Sequence, residues 1–375
     1  MNIRTIRNLA FSLHRYIGLA VGLILVIVGL TGSLLVFQKE IDAALVKQQF
    51  EPVIPQEKTL SLDAIANNIT QAYANQPDFK LAQFDLHFDP NIYRVRLKNS
   101  EDKQLEVFAN AYTGNILGER SRESTFYSKV YELHYALFAG KIGTILVGIA
   151  ALLMCILAIT GLILWSGWRN LISGFKIKWN GKTKRKNYDI HKLVGIIAFL
   201  FLTFTGLTGF IWNFYEQTES AIYALTFTPK PPEVKSDVTR KAPLAISQIL
   251  QQANATIPEA TPTFISVSTK PDEVFSVYLK QPGDAQYFAN QVKIDPYSGK
   301  VLHVINSKTA KLGNRILNAF VPMHYGTFGG ILTRILYVFV GLSPSILFMT
   351  GLIMYRLRRR RQPVTETSRE LIERL

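Results

Sequence analysis

The chain has 375 residues, of which 48% are hydrophobic and 18% charged, and its formal net charge is +15. Its single cysteine, Cys155, excludes an intramolecular disulfide and a cysteine-bound metal cluster. The sequence also lacks G-x-G-x-x-G, P-loop, nucleophile-elbow and H-E-x-x-H motifs, so we expect no recognisable nicotinamide or flavin domain.

Apolar residues are concentrated in four blocks, each long enough for an α-helix to cross a hydrocarbon core of roughly 30 Å. The blocks are residues 17–37, 142–165, 193–214 and 329–355. The first follows a basic start, as in a signal peptide, but it is long and no small-x-small cleavage site follows, so we expect a retained anchor. The sequence therefore predicts a membrane α-helical protein with a four-helix transmembrane bundle.

Charge predicts the orientation of these helices. Residues 1–15, 166–192 and 356–375 hold 18 Lys and Arg against four acids, whereas the rest of the chain is nearly neutral. By the positive-inside rule, both termini and the 166–190 loop are cytoplasmic, as expected for a bacterial inner-membrane protein. The run "RLRRRR" at 356–361 directly follows an apolar block, so we expect it to face membrane lipid and not nucleic acid.

Internal similarity divides the chain into two halves. "HRYIGL" at 14–19 matches "HKLVGI" at 191–196, and "GLTG" at 29–32 recurs at 206–209. "HYALFAG" at 134–140 matches "HYGTFGG" at 324–330, and "TGLI" at 160–163 recurs at 350–353. We interpret this pattern as an internal duplication.

The duplication predicts eight consecutive regions. The membrane helices with their flanks are 1–37, 131–165, 191–214 and 321–355, two periplasmic domains are 38–130 and 215–320, and the cytoplasmic loop and tail are 166–190 and 356–375.

The two periplasmic regions share a predicted order of helix and strands. In the first, "SLDAIANNITQAYAN" indicates an amphipathic helix, and "YRVRL" and "QLEVFAN" indicate strands. The second has "PLAISQILQQANA", "VFSVYL" and "FANQVKIDPYSGKVL" in the same order. Gly114 and Gly299 are expected to form the turn that follows in each, and the Pro-rich stretch at 226–234 is a linker.

The stretches "NAYTGNIL" and "DPYSGKVL" resemble the PepSY domain. With histidine-containing membrane helices on either side, the chain resembles the PepSY-associated transmembrane family. That family includes inner-membrane ferric-siderophore reductases of the FoxB type and other iron-regulated membrane proteins. The resemblance implies two α+β PepSY-like domains on the periplasmic side and a ferric siderophore as the substrate.

Four of the six histidines form two matched pairs at helix ends. His14 and His191 begin helices one and three at the cytoplasmic side, and His134 and His324 precede helices two and four at the outer side. Two imidazoles that face each other across a bundle can ligate a haem iron from both sides, so these pairs predict two haem b groups. The alternative is that each is an interfacial histidine in a half-wet site.

Four glycines accompany the histidines. Gly32 and Gly209 lie at the depth of His134 and His324, and Gly161 and Gly351 lie at the depth of the inner pair, where missing side chains would make room for a porphyrin. Close helix packing is the alternative reason for glycine at such positions.

Basic and aromatic residues beside these positions complete the predicted haem sites. Arg15, Lys192 and Arg334 are candidates to bind haem propionates, with snorkelling to the surface as the alternative for Arg334. Tyr135 and Tyr325 would pack on the porphyrin or form an interfacial aromatic belt.

The sequence thus predicts a di-haem b oxidoreductase that passes electrons across the membrane to a periplasmic acceptor. The donor would be a quinol or a cytoplasmic reductase, and the resemblance implies ferric siderophore as the acceptor. Two alternatives are a haem-free membrane protein that regulates peptidases or signalling and, less favoured because almost no charge lies within the apolar blocks, a transporter.

Overall fold

The computed structural model describes residues 2–238 and 242–359. Residues 360–375, which make up most of the predicted basic tail at 356–375, lie outside the described residues. The chain forms two compact units. The helical unit comprises Met1–Val36, Glu132–Tyr215 and the chain from Ile331 to Arg359, and the sheet unit comprises Phe37–Tyr131 and Glu216–Gly330.

Eleven helices are described. In chain order they are α1 Ile3–Leu35, α2 Gln38–Lys47, α3 Leu62–Ala72, α4 Phe126–Ala136, α5 Gly140–Leu164, α6 Leu171–Phe175, α7 Thr183–Asn213, α8 Tyr215–Leu225, α9 Ile246–Thr256, α10 Leu312–Tyr325 and α11 Gly330–Arg359. Four of them, α1, α5, α7 and α11, are long and apolar enough to cross a membrane, so the protein is a multi-pass membrane protein.

Helices α1 and α7 begin well before the apolar blocks that they contain. The side chain of Asn2 caps α1 by accepting a hydrogen bond from the backbone N–H of Arg4, so the helix starts at Ile3. His14 and His191 therefore lie inside α1 and α7, and the expectation that they begin their helices is wrong. The apolar count finds only the lipid-facing part of a helix, whereas the backbone hydrogen bonds continue through the basic turns before it.

The long helices pack through small side chains and apolar clusters. Val21 and Leu25 of α1 pack on Ala150 of α5, and Ala198 and Leu202 of α7 lie in a cluster with Val340 of α11. Between α1 and α11, a Cβ built on Gly29 would come within 2.4 Å of the Gly341 carbonyl oxygen, so these two backbones are in close contact. Large apolar side chains on the outside of the bundle, such as Leu23, Ile142, Leu332 and Phe339, are exposed and suit lipid.

The described part of the sheet unit contains eight antiparallel strands. They are β1 Lys80–Asp85, β2 Ile92–Lys98, β3 Gln104–Asn110, β4 Ile116–Ser121, β5 Thr261–Ser266, β6 Phe275–Lys280, β7 Asn290–Ile294 and β8 Val301–Ile305. Their order is β4-β3-β2-β1-β5-β6-β7-β8, so the two predicted domains share one continuous sheet. At the seam, Phe84 of β1 pairs with Ile265 of β5.

One face of this sheet carries the core. Ile65 and Ile69 of α3 and Ile249 of α9 are fully buried and lie in one cluster with Val95 and Val277 from the two halves of the sheet. Asp63 at the start of α3 accepts hydrogen bonds from the first backbone N–H groups of α9, which joins the two helices end to end.

The predicted turns at Gly114 and Gly299 are present in both halves. The two glycines have φ of +70° and +73°, which a residue with a Cβ adopts only with strain. Asn110 and Asp295 occupy the equivalent position at the start of each turn and accept backbone N–H bonds through their side-chain oxygens.

Candidate functional site

His14 is held by the neighbouring helix α5. Its Nδ1 lies 3.1 Å from the carbonyl oxygen of Leu157 and 3.0 Å from the hydroxyl of Thr160. The Thr160 hydroxyl donates its own proton to the carbonyl of Ile156, at 2.7 Å. Both atoms that face the ring can therefore only accept, so Nδ1 carries the proton and Nε2 keeps its lone pair.

His191 repeats this arrangement on α11. Its Nδ1 donates to the carbonyl of Leu347 at 3.0 Å and to the hydroxyl of Thr350 at 2.9 Å. The Thr350 hydroxyl in turn donates to the carbonyl of Ile346. The Nε2 atom of His191 is again the nitrogen with a free lone pair, which is the form of histidine that ligates a metal.

His134 has the same partners on α1. Its Nδ1 donates to the carbonyl of Val28 at 2.9 Å and to the hydroxyl of Thr31 at 3.1 Å, and Thr31 donates to the carbonyl of Ile27. Three of the four predicted ligand histidines thus share one mode of attachment, in which a threonine and a carbonyl on a neighbouring helix fix the tautomer.

The rings of the two inner histidines lie close together. The ring centres of His14 and His191 are 5.9 Å apart, with the planes at 79°. Two imidazoles that ligate one metal from opposite sides have centres roughly 6 Å apart, because each metal–nitrogen bond is about 2 Å and each ring adds its radius. The pair fits a bis-histidine haem site in number, tautomer and spacing.

Glycines face the inner histidines at the predicted depth. A Cβ built on Gly161 would lie 3.2 Å from Cε1 of His14, and one built on Gly351 would lie 3.6 Å from Cε1 of His191. The first distance is tighter than an ordinary carbon contact, so the glycine lets the imidazole approach α5 closely enough to reach its carbonyl. The space at these glycines is used by the histidine ring.

The outer positions divide between the two units. In the helical unit, a Cβ on Gly32 would lie 3.1 Å from Cε1 of His134, which matches the geometry at Gly161. Gly209 follows the fully buried Thr208 on α7. His324 lies near the end of α10 in the sheet unit, and the left-handed Gly326 then ends that helix.

The basic candidates have contacts of their own. Lys192 is buried, and its Nζ donates to Asp189 at 3.0 Å and to the carbonyls of Ser173 and Lys176, so it ties the loop before α7 to that helix. Arg334 donates to the carbonyl of Val36 at 2.7 Å.

Arg15 has a buried donor that is not used. Its guanidinium lies over the ring of Tyr16 at 4.4 Å, and among the described residues its buried Nε has no hydrogen-bond partner. A group with an acidic oxygen beside His14 would satisfy this atom. Tyr135 and Tyr325 follow His134 and His324 directly and are each about two-fifths exposed, at 37% and 43%.

The threonines were missed by sequence reasoning. Thr31, Thr160, Thr208 and Thr350 each stand immediately before one of the four predicted glycines and are all buried. The signal is visible in the sequence as a Thr-Gly pair in every membrane helix, present once in α1, α5 and α11 and twice in α7. A glycine alone indicates close approach, whereas a buried hydroxyl beside it indicates a polar partner.

The other two histidines lie in the sheet unit. His87 donates through Nδ1 to the buried Asp85, at 3.2 Å, and stacks on Tyr287 with ring centres 3.7 Å apart. His303 lies on β8, where burial and the charge of Lys293 lower its pKa. Neither belongs to the histidine pairs.

Comparison with known proteins gives one family. Among curated proteins none matches the chain. A crystal structure of a candidate lipoprotein from Clostridium difficile 630 matches at 9% identity, with a TM-score of 0.26, and covers 64% of this chain and 89% of the other. The family model described as the PepSY-associated TM region matches residues 11–358, and the chain belongs to this family.

Proposed function

We propose that the protein is a di-haem b oxidoreductase of the bacterial inner membrane. It passes electrons from the cytoplasmic side to an acceptor on the periplasmic side. Both termini would be cytoplasmic, the sheet unit periplasmic, and the chain an internal duplication, as the matched motifs and turns suggest. The observation that carries the proposal is the repeated attachment of His14, His191 and His134, each of which contacts a threonine hydroxyl and a backbone carbonyl of a neighbouring helix through Nδ1.

At the inner centre, the chain holds two ligands and keeps them in one orientation. Thr160 and Thr350 fix the Nδ1–H tautomers of His14 and His191, and the carbonyls beside them hold the rings against rotation. A haem bound between the rings would supply one-electron transfer without an open coordination position. The unused Nε of Arg15 would bind a propionate, and the apolar bundle would exclude water.

At the outer centre, His134 is the ligand that the helical unit supplies, and His324 is the proposed second ligand. The repeat of the His134 motif at His324 supports the pairing. This centre would lie closer to the periplasmic acceptor.

The proposed acceptor is a ferric siderophore. The family resemblance supports this choice, because the family includes ferric-siderophore reductases. One electron would reduce the chelated Fe(III) to Fe(II), and hard oxygen ligands hold Fe(II) much more weakly, so the metal would leave the chelator. The electron would come from a quinol or a cytoplasmic reductase.

A reduced-minus-oxidised absorption spectrum of the detergent-purified protein tests the proposal. We expect a b-type haem signal with two haems per chain. His14→Ala and His191→Ala should each remove the inner haem and leave the outer one. His134→Ala and His324→Ala should each remove the outer haem and leave the inner one. The matched control is His303→Ala, which should keep both. A purified protein that stays colourless after reconstitution with haem would contradict the proposal and favour a haem-free regulator.

A further inference from the structure

A row of basic side chains lies on the face of the sheet opposite the core. On β2, Arg94, Arg96 and Lys98 alternate with Val95 and Leu97, which are buried against the helices. Side chains alternate between the two faces of a strand, so the three cations share the other face. They meet the side chains of the neighbouring strands there.

At one end of this row the charges are matched. Arg120 of β4 binds both oxygens of Asp42, at 2.8 and 2.7 Å, and also Glu106 at 2.7 Å. Arg94 pairs with the buried carboxylate of Asp85. These buried acids are therefore already engaged by Arg120 and Arg94.

At the other end the cations surround a pocket of about 190 Å³. It is lined by Arg96, Arg122, Lys98, Gln83, Gln104 and Ser266, with no carboxylate among its lining residues. Arg96 donates to the amide oxygen of Gln83 at 2.6 Å, and Arg122 donates to that of Gln104 at 2.8 Å. Neutral amides thus position two guanidinium groups without neutralising them.

Arg96 is only partly compensated by acidic groups. Its Nε is buried and has no hydrogen-bond partner among the described residues, and the nearest carboxylate oxygen, of Glu106, is 3.5 Å away. Burial, which is the largest cause, and the charges of Arg122 and Arg94 together lower the pKa of Arg96 to about 10, against the raising effect of Glu106 and Asp85. The pocket therefore has an excess of positive charge.

The second half of the sheet has no arginine at the two positions that correspond to Arg94 and Arg96. Strand β6 pairs with β7 in the register that β2 keeps with β3, which places Ser276 and Tyr278 at the positions of Arg94 and Arg96. Tyr278 is satisfied by a neutral hydrogen bond from Gln291, at 3.0 Å. A sheet of the same register closes there with neutral side chains at these two positions, so this register does not by itself require a cation at Arg96.

We propose that this pocket binds a small oxyanion, either inorganic phosphate or the carboxylates of a di- or tricarboxylic acid. Planar guanidinium groups recognise such oxygens through paired N–H donors, and Ser266 offers a hydroxyl. The volume equals on the order of six water molecules, which suits an anion of this size. The proposal does not depend on electron transfer by the protein.

Isothermal titration of the full-length protein in detergent, with phosphate in one arm and iron-free citrate in the other, tests the site. We expect saturable binding of at least one anion, weakened at least tenfold by Arg96→Gln and by Arg122→Gln. Phosphate alone would identify a phosphate site, and citrate alone a carboxylate site. The matched control, Lys103→Gln, removes an exposed charge from the β2–β3 turn and should bind as the parent does.

Thermal unfolding separates binding from folding. Without added anion, Arg96→Gln should unfold at or above the temperature of the parent, because it removes a buried cation whose Nε has no hydrogen-bond partner among the described residues. With anion, only the parent and Lys103→Gln should shift upward. No binding of either anion, or binding that both arginine variants retain, would overturn the proposal. A fall in the anion-free unfolding temperature of both variants would overturn it as well, since the arginines would then be structural.

Discussion

Thr160 accepts a hydrogen bond from Nδ1 of His14 across the interface of α1 and α5, at 3.0 Å. A hydropathy profile does not reveal this hydrogen bond, yet the bond decides which nitrogen of the imidazole is available. Because the same bond recurs between Thr350 and His191, the two inner rings present equivalent Nε2 atoms.

Removal of these hydroxyls should loosen the inner haem. Partners of this kind typically contribute 10- to 100-fold to metal affinity, so Thr160→Val and Thr350→Val should each weaken retention of one haem by about tenfold or more. The measurement is haem content after dilution in detergent. Thr203→Val is the control, because the Thr203 hydroxyl bonds only to the Phe199 carbonyl of its own helix. Equal retention in all three variants would contradict the assigned role.

The glycines beside the inner histidines should differ in tolerance. Gly161→Ala would place a Cβ 3.2 Å from His14, whereas Gly351→Ala would place one at 3.6 Å from His191, an ordinary contact. We expect Gly161→Ala to shift the haem spectrum or lower haem content, and Gly351→Ala to have a smaller effect. A larger effect of Gly351→Ala than of Gly161→Ala would show that a group other than the imidazoles needs the space beside these glycines.

Hydropathy and sequence repeats anticipated the four long helices, the order of helix and strands in each half, and the turns at Gly114 and Gly299. These features depend on local patterns of period 3.6 or 2 and on a backbone that needs φ > 0. The recurrence of residues also predicted that glycines would share the depth of the histidines, and the structure places Gly32, Gly161 and Gly351 beside them.

The strands at the seam and the threonines were not anticipated. Strand β5 contains Pro262, which weakens a strand pattern, and β1 has a bulge between Leu81 and Gln83. Their pairing is a long-range contact that no local period reveals. The role of Thr160 was hidden because threonine is common in membrane helices, where its hydroxyl usually bonds only to its own helix.

Lys192 should stabilise the fold and should not bind a haem propionate. Its side chain is 4% exposed and pairs with Asp189, which is fully buried. Lys192→Met would leave that carboxylate with Arg185 as its cationic partner and the backbone N–H of Lys178 as a further donor, and loss of one partner of a buried pair costs about 3 kcal/mol. We expect a lower unfolding temperature with an unchanged haem spectrum. A changed spectrum at full stability would instead support the predicted contact with a propionate.

Asp85 should make the sheet unit sensitive to acid. Burial alone would raise the pKa of Asp85, but the hydrogen bond with His87 and the charge of Arg94 hold it below its usual value. The stabilisation is therefore fully present above about pH 4, the pKa of an unfolded aspartate, and is lost as pH falls through the folded pKa.

Asp85→Asn checks this dependence in thermal unfolding of the whole protein. It should lower the unfolding temperature at pH 7, and its difference from the parent should shrink below about pH 4. Asp102→Asn is the control, because Asp102 is exposed and its left-handed φ of 64° suits asparagine. A pH-independent difference for Asp85→Asn would show that lost packing, and not charge, accounts for the effect.

The seam between Phe84 and Ile265 also constrains the order of assembly. The chain between these two strand residues contains both α5 and α7, so a single sheet can form only if that stretch crosses the bilayer an even number of times. During synthesis β1 must therefore wait with an unpaired edge until the helical hairpin is inserted and β5 has emerged. A chain that stops after α5 would retain that edge, which is a ready template for aggregation.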